Sequence, residues 1–424
     1  MHWRPLVTMT AMGGLLSTGI ALRYLAPDRY RPPETMSPQT SAAEPVCDGT
    51  CWHGEACEMG RCVWQAPNDV GHVQSAARLA GPFPLPADMV DALPLDNNRY
   101  AVSHLLGVQI TDAQSGMVLS LVSDSPQAQL LRRVGDVVYA SAPSRIYVID
   151  AANTRVLKNI EVGSLVSAMS VSASGRRVLA SLSGARAVAV IATDYHAEVS
   201  RFFFGDDPIG PVAIDDTDEN AFATNGRVPL AGLEPPAAAV GHGAVYAFDP
   251  GRLAADQDRV RTGMSGNPVD MVMLPDARSS YVALRERDRV VRVERLASGA
   301  VRQVGHIPTC KEPEQIALVR LGRRILVRCD AGRAVEIFDV TRQELVRRIA
   351  LGSHIADMAV SPDGKQVILA LPHAKTGVVA FVDLETYEIR RREVSAPPTR
   401  VRLTPDGRAA LVVSDRSKQA WVIQ

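Results

Sequence analysis

The sequence predicts an all-β chain folded as a β-propeller, a ring of four-stranded antiparallel sheets. Three observations carry that prediction. A meander of three or four short β-rich runs, separated by turn residues, recurs along the chain from about Pro84 to the end. Turns of one kind stand at the same place in several repeats, as in Ser361 to Gly364 and Thr404 to Gly407. The last repeat stops one strand short, so a strand from elsewhere must complete it.

The clearest repeat spans Ile355 to Tyr387. Met358 to Val360 form its first run and Ser361-Pro362-Asp363-Gly364 its turn. Val367 to Leu371 form the second run, and Val378 to Val382 the third, closed by Asp383. Other repeats begin near Met89, Leu130, Ala168, Pro211, Val269, Ile316 and Val401. The count is eight blades, or seven if the first, irregular repeat is lost. Val73 to Leu79 matches the outer-strand pattern of Glu344 to Ile349 and is expected to complete the last blade, because pairing both chain ends removes an exposed edge. The propeller is therefore expected over residues 73–424.

The chain has 424 residues, 46% of them hydrophobic, enough for a large core. Its 46 basic and 46 acidic residues balance. Balance excludes the basic surplus that nonspecific nucleic-acid binding needs. Of six cysteines, four crowd between Cys47 and Cys62, and the others are Cys310 and Cys329. An even count with a tight cluster points to an oxidising compartment.

Residues 5–22 carry no charge and lie between Arg4 and Arg23. Within residues 1–26 they suit a hydrophobic helix serving as a signal peptide or a weak membrane anchor, with a merely apolar helix as the alternative. Arg23, Arg29 and Arg31 outnumber Arg4, which by the positive-inside rule favours a cytoplasmic C-terminus. The cysteines argue the other way, and the expectation follows them: periplasmic or secreted. Residues 27–46, rich in proline, serine and threonine, read as a semi-rigid linker. Residues 47–64 form a cysteine module with glycine between successive cysteines, at Gly49, Gly54 and Gly60. Two disulfides among Cys47, Cys51, Cys57 and Cys62 would hold its turns, in any of three pairings. A zinc knuckle using His53 competes, but no gap for a finger separates the cysteines.

The repeats resemble the YVTN-type bacterial β-propellers, whose blades carry a Ser-Pro-Asp-Gly turn, a Tyr-Val-x-Asn-like strand and Val-x-Val-Ile-Asp. The matches are Ser361 to Gly364, Thr404 to Gly407, Val138-Tyr139 and Ile146 to Asp150. Ala173-Ser174-Gly175 and Pro275-Asp276-Ala277 depart from the pattern. The cysteine module resembles the short Cys-Gly modules of secreted bacterial proteins and, loosely, half an EGF-like domain. These resemblances imply a fold and an extracytoplasmic setting. They imply no single activity, because the propeller superfamily spans lactonase-like enzymes, haem and quinone dehydrogenases and pure binders.

Asp112, Asp150, Asp249, Asp339 and Asp383 recur at third-strand ends and read as turn caps. The loops entering the inner strand and those joining strands two and three share one face, where propeller function usually sits. The ligand-binding candidates on that face are Asp206, Asp207, His242, Arg285, Lys311, Glu312, Glu314 and His354. His242 lies in an insertion, Gly226 to Gly243, that reads either as a lid or as a surface loop. Cys310 at the start of one inner strand and Cys329 at the end of its neighbour are placed for a disulfide, with two free core thiols as the alternative.

The chain holds no Cys-x-x-Cys-His, Gly-x-Ser-x-Gly or His-Glu-x-x-His motif. No catalytic residue, metal site or cofactor is assigned. The expected function is binding of a protein, peptide or glycan at the channel mouth, with membrane contact only through the N-terminal segment. The alternative is a metal-dependent, lactonase-like hydrolase drawing on Glu312, Glu314 and Asp357.

Overall fold

The computed structural model describes residues 55–58, 61–64, 78–205, 209–225, 243–251, 260–263, 266–319 and 322–424. The N-terminal segment, the linker, Cys47, Cys51 and His53 lie outside these residues. Of the cysteine module the structure gives a hairpin, Glu55–Glu58 with Arg61–Trp64, whose register sets the backbone of Cys57 opposite that of Cys62. Among the described residues no helix is long and apolar enough to cross a membrane.

Eight four-stranded antiparallel sheets follow, each a blade. Blades 1 to 7 run in simple order from inner to outer strand, as in Pro313–Val319, Arg324–Cys329, Ala334–Asp339 and Glu344–Ala350 of blade 6. Inner strands of consecutive blades adjoin around the whole ring, that of blade 8 meeting that of blade 1. The first repeat forms a full blade, so the count is eight.

Blade 8 takes its outer strand from the N-terminal side, as expected. That strand is Leu79–Pro84, starting where the expected segment Val73 to Leu79 ends. It contains Gly81, Pro82 and Pro84, which mark most segments as non-strand. An outer edge tolerates them because its outward N–H groups need no ladder partner.

The core lies between blades rather than within them. Middle strands are buried on both faces, and eight apolar clusters fill the eight junctions. Trp421 of blade 8, for example, packs with Phe381 of blade 7. The second strands therefore read as near-continuous apolar runs, such as Val-Ile-Leu-Ala-Leu, rather than as alternating ones.

The turns work as read. Asp363 Oδ1 accepts the Ser361 hydroxyl at 2.5 Å and the Lys365 N–H at 3.0 Å, and Gly364 takes the left-handed conformation. In the departing turn Asp276 accepts the N–H groups of Arg278 and Ser279, and Ala277 occupies the left-handed position. All five third-strand aspartates accept backbone N–H groups two or three residues on, which makes them turn caps. Bonds from Ser115 hold Asp112 below the usual carboxylate range.

Candidate functional site at the channel mouth

An inner strand leaves one row of backbone groups facing the channel without a ladder partner, and buried N–H groups need acceptors. Here side chains supply them. Asp91, Asp270 and Asp357 each accept one N–H from their own strand and one from the inner strand of the next blade. The cross-blade bonds run from Leu131 to Asp91 (3.0 Å), from Ile316 to Asp270 (2.9 Å) and from Val401 to Asp357 (3.0 Å). Gln315 exchanges two bonds with the backbone of Met358. Arg132 donates to Met169 O, Ser167 to Ile209 O, and Arg400 to Val90 O and Asp91. Seven of the eight junctions thus carry a channel-side clip among the described residues, and Arg295 of blade 5 bridges the eighth by donating to Asn220 Oδ1 of blade 4 at 2.8 Å.

Beside this girdle, on the face of the inter-blade connections, lies an ion cluster spanning blades 5 to 7. Arg285 follows the second strand of blade 5. Its guanidinium contacts Glu314 at 2.5 Å, Glu312 at 3.1 Å and Asp330 at 3.6 Å. Burial works against its charge, but Glu314, Glu312 and Asp330 outweigh that and raise its pKa. His354 Nδ1 lies 2.6 Å from Asp330 Oδ1. Beneath them sits buried Arg328, whose Nε donates to Gln315 Oε1 (3.1 Å), Nη1 to Ile355 O (2.7 Å) and Nη2 to Glu314 (3.1 Å). Arg328 uses three directions of its fork on three acceptors, a geometry no lysine reproduces. Nearby, burial pushes Asp270 up to about 6, against its two backbone bonds and Arg328 and with help from Asp357.

Cys310 and Cys329 form a disulfide with Cα atoms 5.8 Å apart. The inner strand begins at Pro313, three residues later than expected, so the bridge ties the inter-blade connection to the end of the second strand. The buried carboxylate of Glu336 accepts the Cys310 N–H at 2.8 Å. Gly332 crosses this bridge so closely that a Cβ there would lie 2.8 Å from Cys310 Cβ.

Four of the eight candidates, Arg285, Glu312, Glu314 and His354, therefore meet in one cluster. Lys311 is exposed and joins through its backbone, its carbonyl accepting the Gly332 N–H. Asp206, Asp207, His242 and the insertion from Gly226 lie outside the described residues. Arg328 and Asp330 were missed. A signal for Arg328 exists, since a guanidinium cuts off the apolar run Ile325 to Val327 just before Cys329.

The hydrolase alternative finds no support in this geometry. Glu312 and Glu314 are taken up by arginines, and Asp357 by two backbone N–H groups and Arg402 at 2.9 Å. Among the described residues, only Cys310, Cys329 and Glu336 bring three ligand-type atoms within 4.8 Å of one another, and the two sulfurs are bonded together.

No protein-family model matches the chain, and no curated protein matches it. Solved structures do. The C-terminal WD40 domain of Sif2 superposes with a TM-score of 0.61 at 11% identity, over 84% of this chain and 99% of that one. The fold is that of a WD40-like propeller. The β-propeller domain of Myceliophteria thermophila Cps50 (Swd1) gives 0.52 at 11% identity, over 70% and 96%. A chain of the mitotic checkpoint complex gives 0.53 at 12%, over 68% and 86%. Identities this low carry the fold alone, and the YVTN repeat family remains a likeness of sequence.

Proposed function

We propose that this propeller is a binding scaffold whose protein or peptide partner docks on the channel-mouth face over blades 5 to 7. One observation carries the reading. Arg285, Glu312, Asp330 and His354 stand partly exposed on that face, held by buried Arg328, the aspartate clips and a disulfide. Charged groups fixed in place favour an ordered partner, because little side-chain entropy is left to lose on binding. One similar propeller comes from a multi-protein complex, which agrees with a scaffold role. A peptide of mixed charge fits the mixed cluster.

The setting we propose is extracytoplasmic, on the disulfide and the N-terminal cysteine cluster. An alkaline-phosphatase fusion after Gln424 should be active in the expressing cell, and an inactive fusion refutes that setting.

The docking face is tested by cross-linking in the expressing cell followed by mass spectrometry. Partners joined to the wild type should be lost from the Arg285→Glu, Glu312→Arg double variant, with the circular dichroism of the propeller unchanged. Partners retained by that variant would sink the assignment of this face.

A further inference from the structure

The outer strand of blade 1, Val118–Val122, differs from the other seven. Those carry arginine, lysine or proline, Lys158, Arg201, Arg261, Arg302 and Arg391 among them, with Pro82 in blade 8. Such residues blunt a sheet edge against pairing with another chain. Val118–Val122 reads Val-Leu-Ser-Leu-Val and has neither charge nor proline. Among the described residues it pairs on one side only, with Gly107–Asp112. Val118 and Leu119 are each 54% exposed and Leu121 43%.

We infer that this edge is the interface of a symmetric dimer, in which two copies pair antiparallel about a two-fold axis at Ser120. The segment reads the same in both directions. A two-fold register therefore sets Val118 against Val122, Leu119 against Leu121 and Ser120 against Ser120. An isologous interface demands this self-complementarity. Paired apolar side chains across an antiparallel ladder stabilise it, and no like charges face each other. Self-pairing of Ile389–Val394 would instead stack arginines on arginines. Ser120 Oγ is buried without a hydrogen-bond partner among the described residues, and pairing sets a second hydroxyl at its cross-strand position. Met117, 67% exposed, precedes the strand. Exposed Leu105 and Leu106 stand at the blade end toward which Val122 runs. Antiparallel pairing brings Met117 of each copy toward that end of the other. The two blades join into one eight-stranded sheet across the axis.

The test uses the full chain. Sedimentation velocity should show a dimer for the wild type and a monomer for the Leu119→Lys, Leu121→Lys variant, with unchanged circular dichroism. Ser120→Cys should form a dimer that reductant separates, since directly opposed Cα atoms about 4.5–5.5 Å apart suit a disulfide. Leu345→Cys, on the outer strand of blade 6, should not. A wild type that stays monomeric into the high micromolar range overturns the inference. So does a dimer that survives the two lysines, or equal cross-linking of both cysteine variants.

Discussion

Replacing Asp91 by alanine probes how the ring is held closed. Asp91 is buried on the inner strand of blade 1, between blade 8 and blade 2. Its Oδ1 accepts the Ala92 N–H at 3.0 Å and Arg400 Nη1 at 3.1 Å, and its Oδ2 accepts the Leu131 N–H at 3.0 Å. Alanine strands two buried N–H groups, at a cost of ~1–3 kcal/mol each. Arg400 loses less, because Asp415 remains 3.0 Å away. The expected loss is about 2–6 kcal/mol, against a typical total of about 5–15 kcal/mol. Asparagine keeps one acceptor and should fall near half that loss. Asp112→Ala is the control: its turn N–H groups are exposed and water replaces the carboxylate, so about 1 kcal/mol or less is expected. The assay is equilibrium urea unfolding followed by fluorescence, with buried Trp421 of blade 8 reporting near the closure. A loss below about 1 kcal/mol for Asp91→Ala would refute the claim that these clips carry the junctions.

The remaining predictions concern the mouth. Opening the Cys310–Cys329 bridge, which closes a separation of 19 residues, should cost about 3 kcal/mol of stability, read as the difference in unfolding between the wild type and the Cys310→Ser, Cys329→Ser variant. Asp270, with a pKa of about 6 in the fold against 3.8 unfolded, releases a proton on unfolding between those values. Stability should therefore fall as pH rises through about 4 to 6, by about 3 kcal/mol, and level off above. Unfolding of Asp270→Asn across that range should lack the slope, and an unchanged slope counts against the assignment. Arg328→Ala should lose about 3 kcal/mol by stripping Ile355 O and half of Glu314, and Arg328→Lys should recover little of it.

Much of the architecture was legible because each blade repeats its local chemistry. The turn aspartates, the left-handed glycines and the unbroken apolar second strands are local demands, and each blade states them again. The unpaired last repeat announced closure from the other end. The closing strand itself was mislocated by a few residues, since Gly81, Pro82 and Pro84 hide an edge strand from any pattern based on alternation. At the mouth, topology alone put Arg285, Glu312, Glu314 and His354 on one face. Arg328 and Asp330 stayed hidden inside a strand and just after it.

By itself the sequence determined the all-β repeat, the turn caps and the placing of Cys310 near Cys329, and it narrowed the blades to eight or seven. These rest on contacts between residues close in the chain. Only the tertiary structure decided which carboxylates are clips and which are exposed. Asp91 and Asp357 sit in unremarkable strands, and their roles depend on N–H groups 40 and 44 residues away. Such a bond is set by how blades stack, because the channel-side edge of each inner strand must find acceptors on its neighbour.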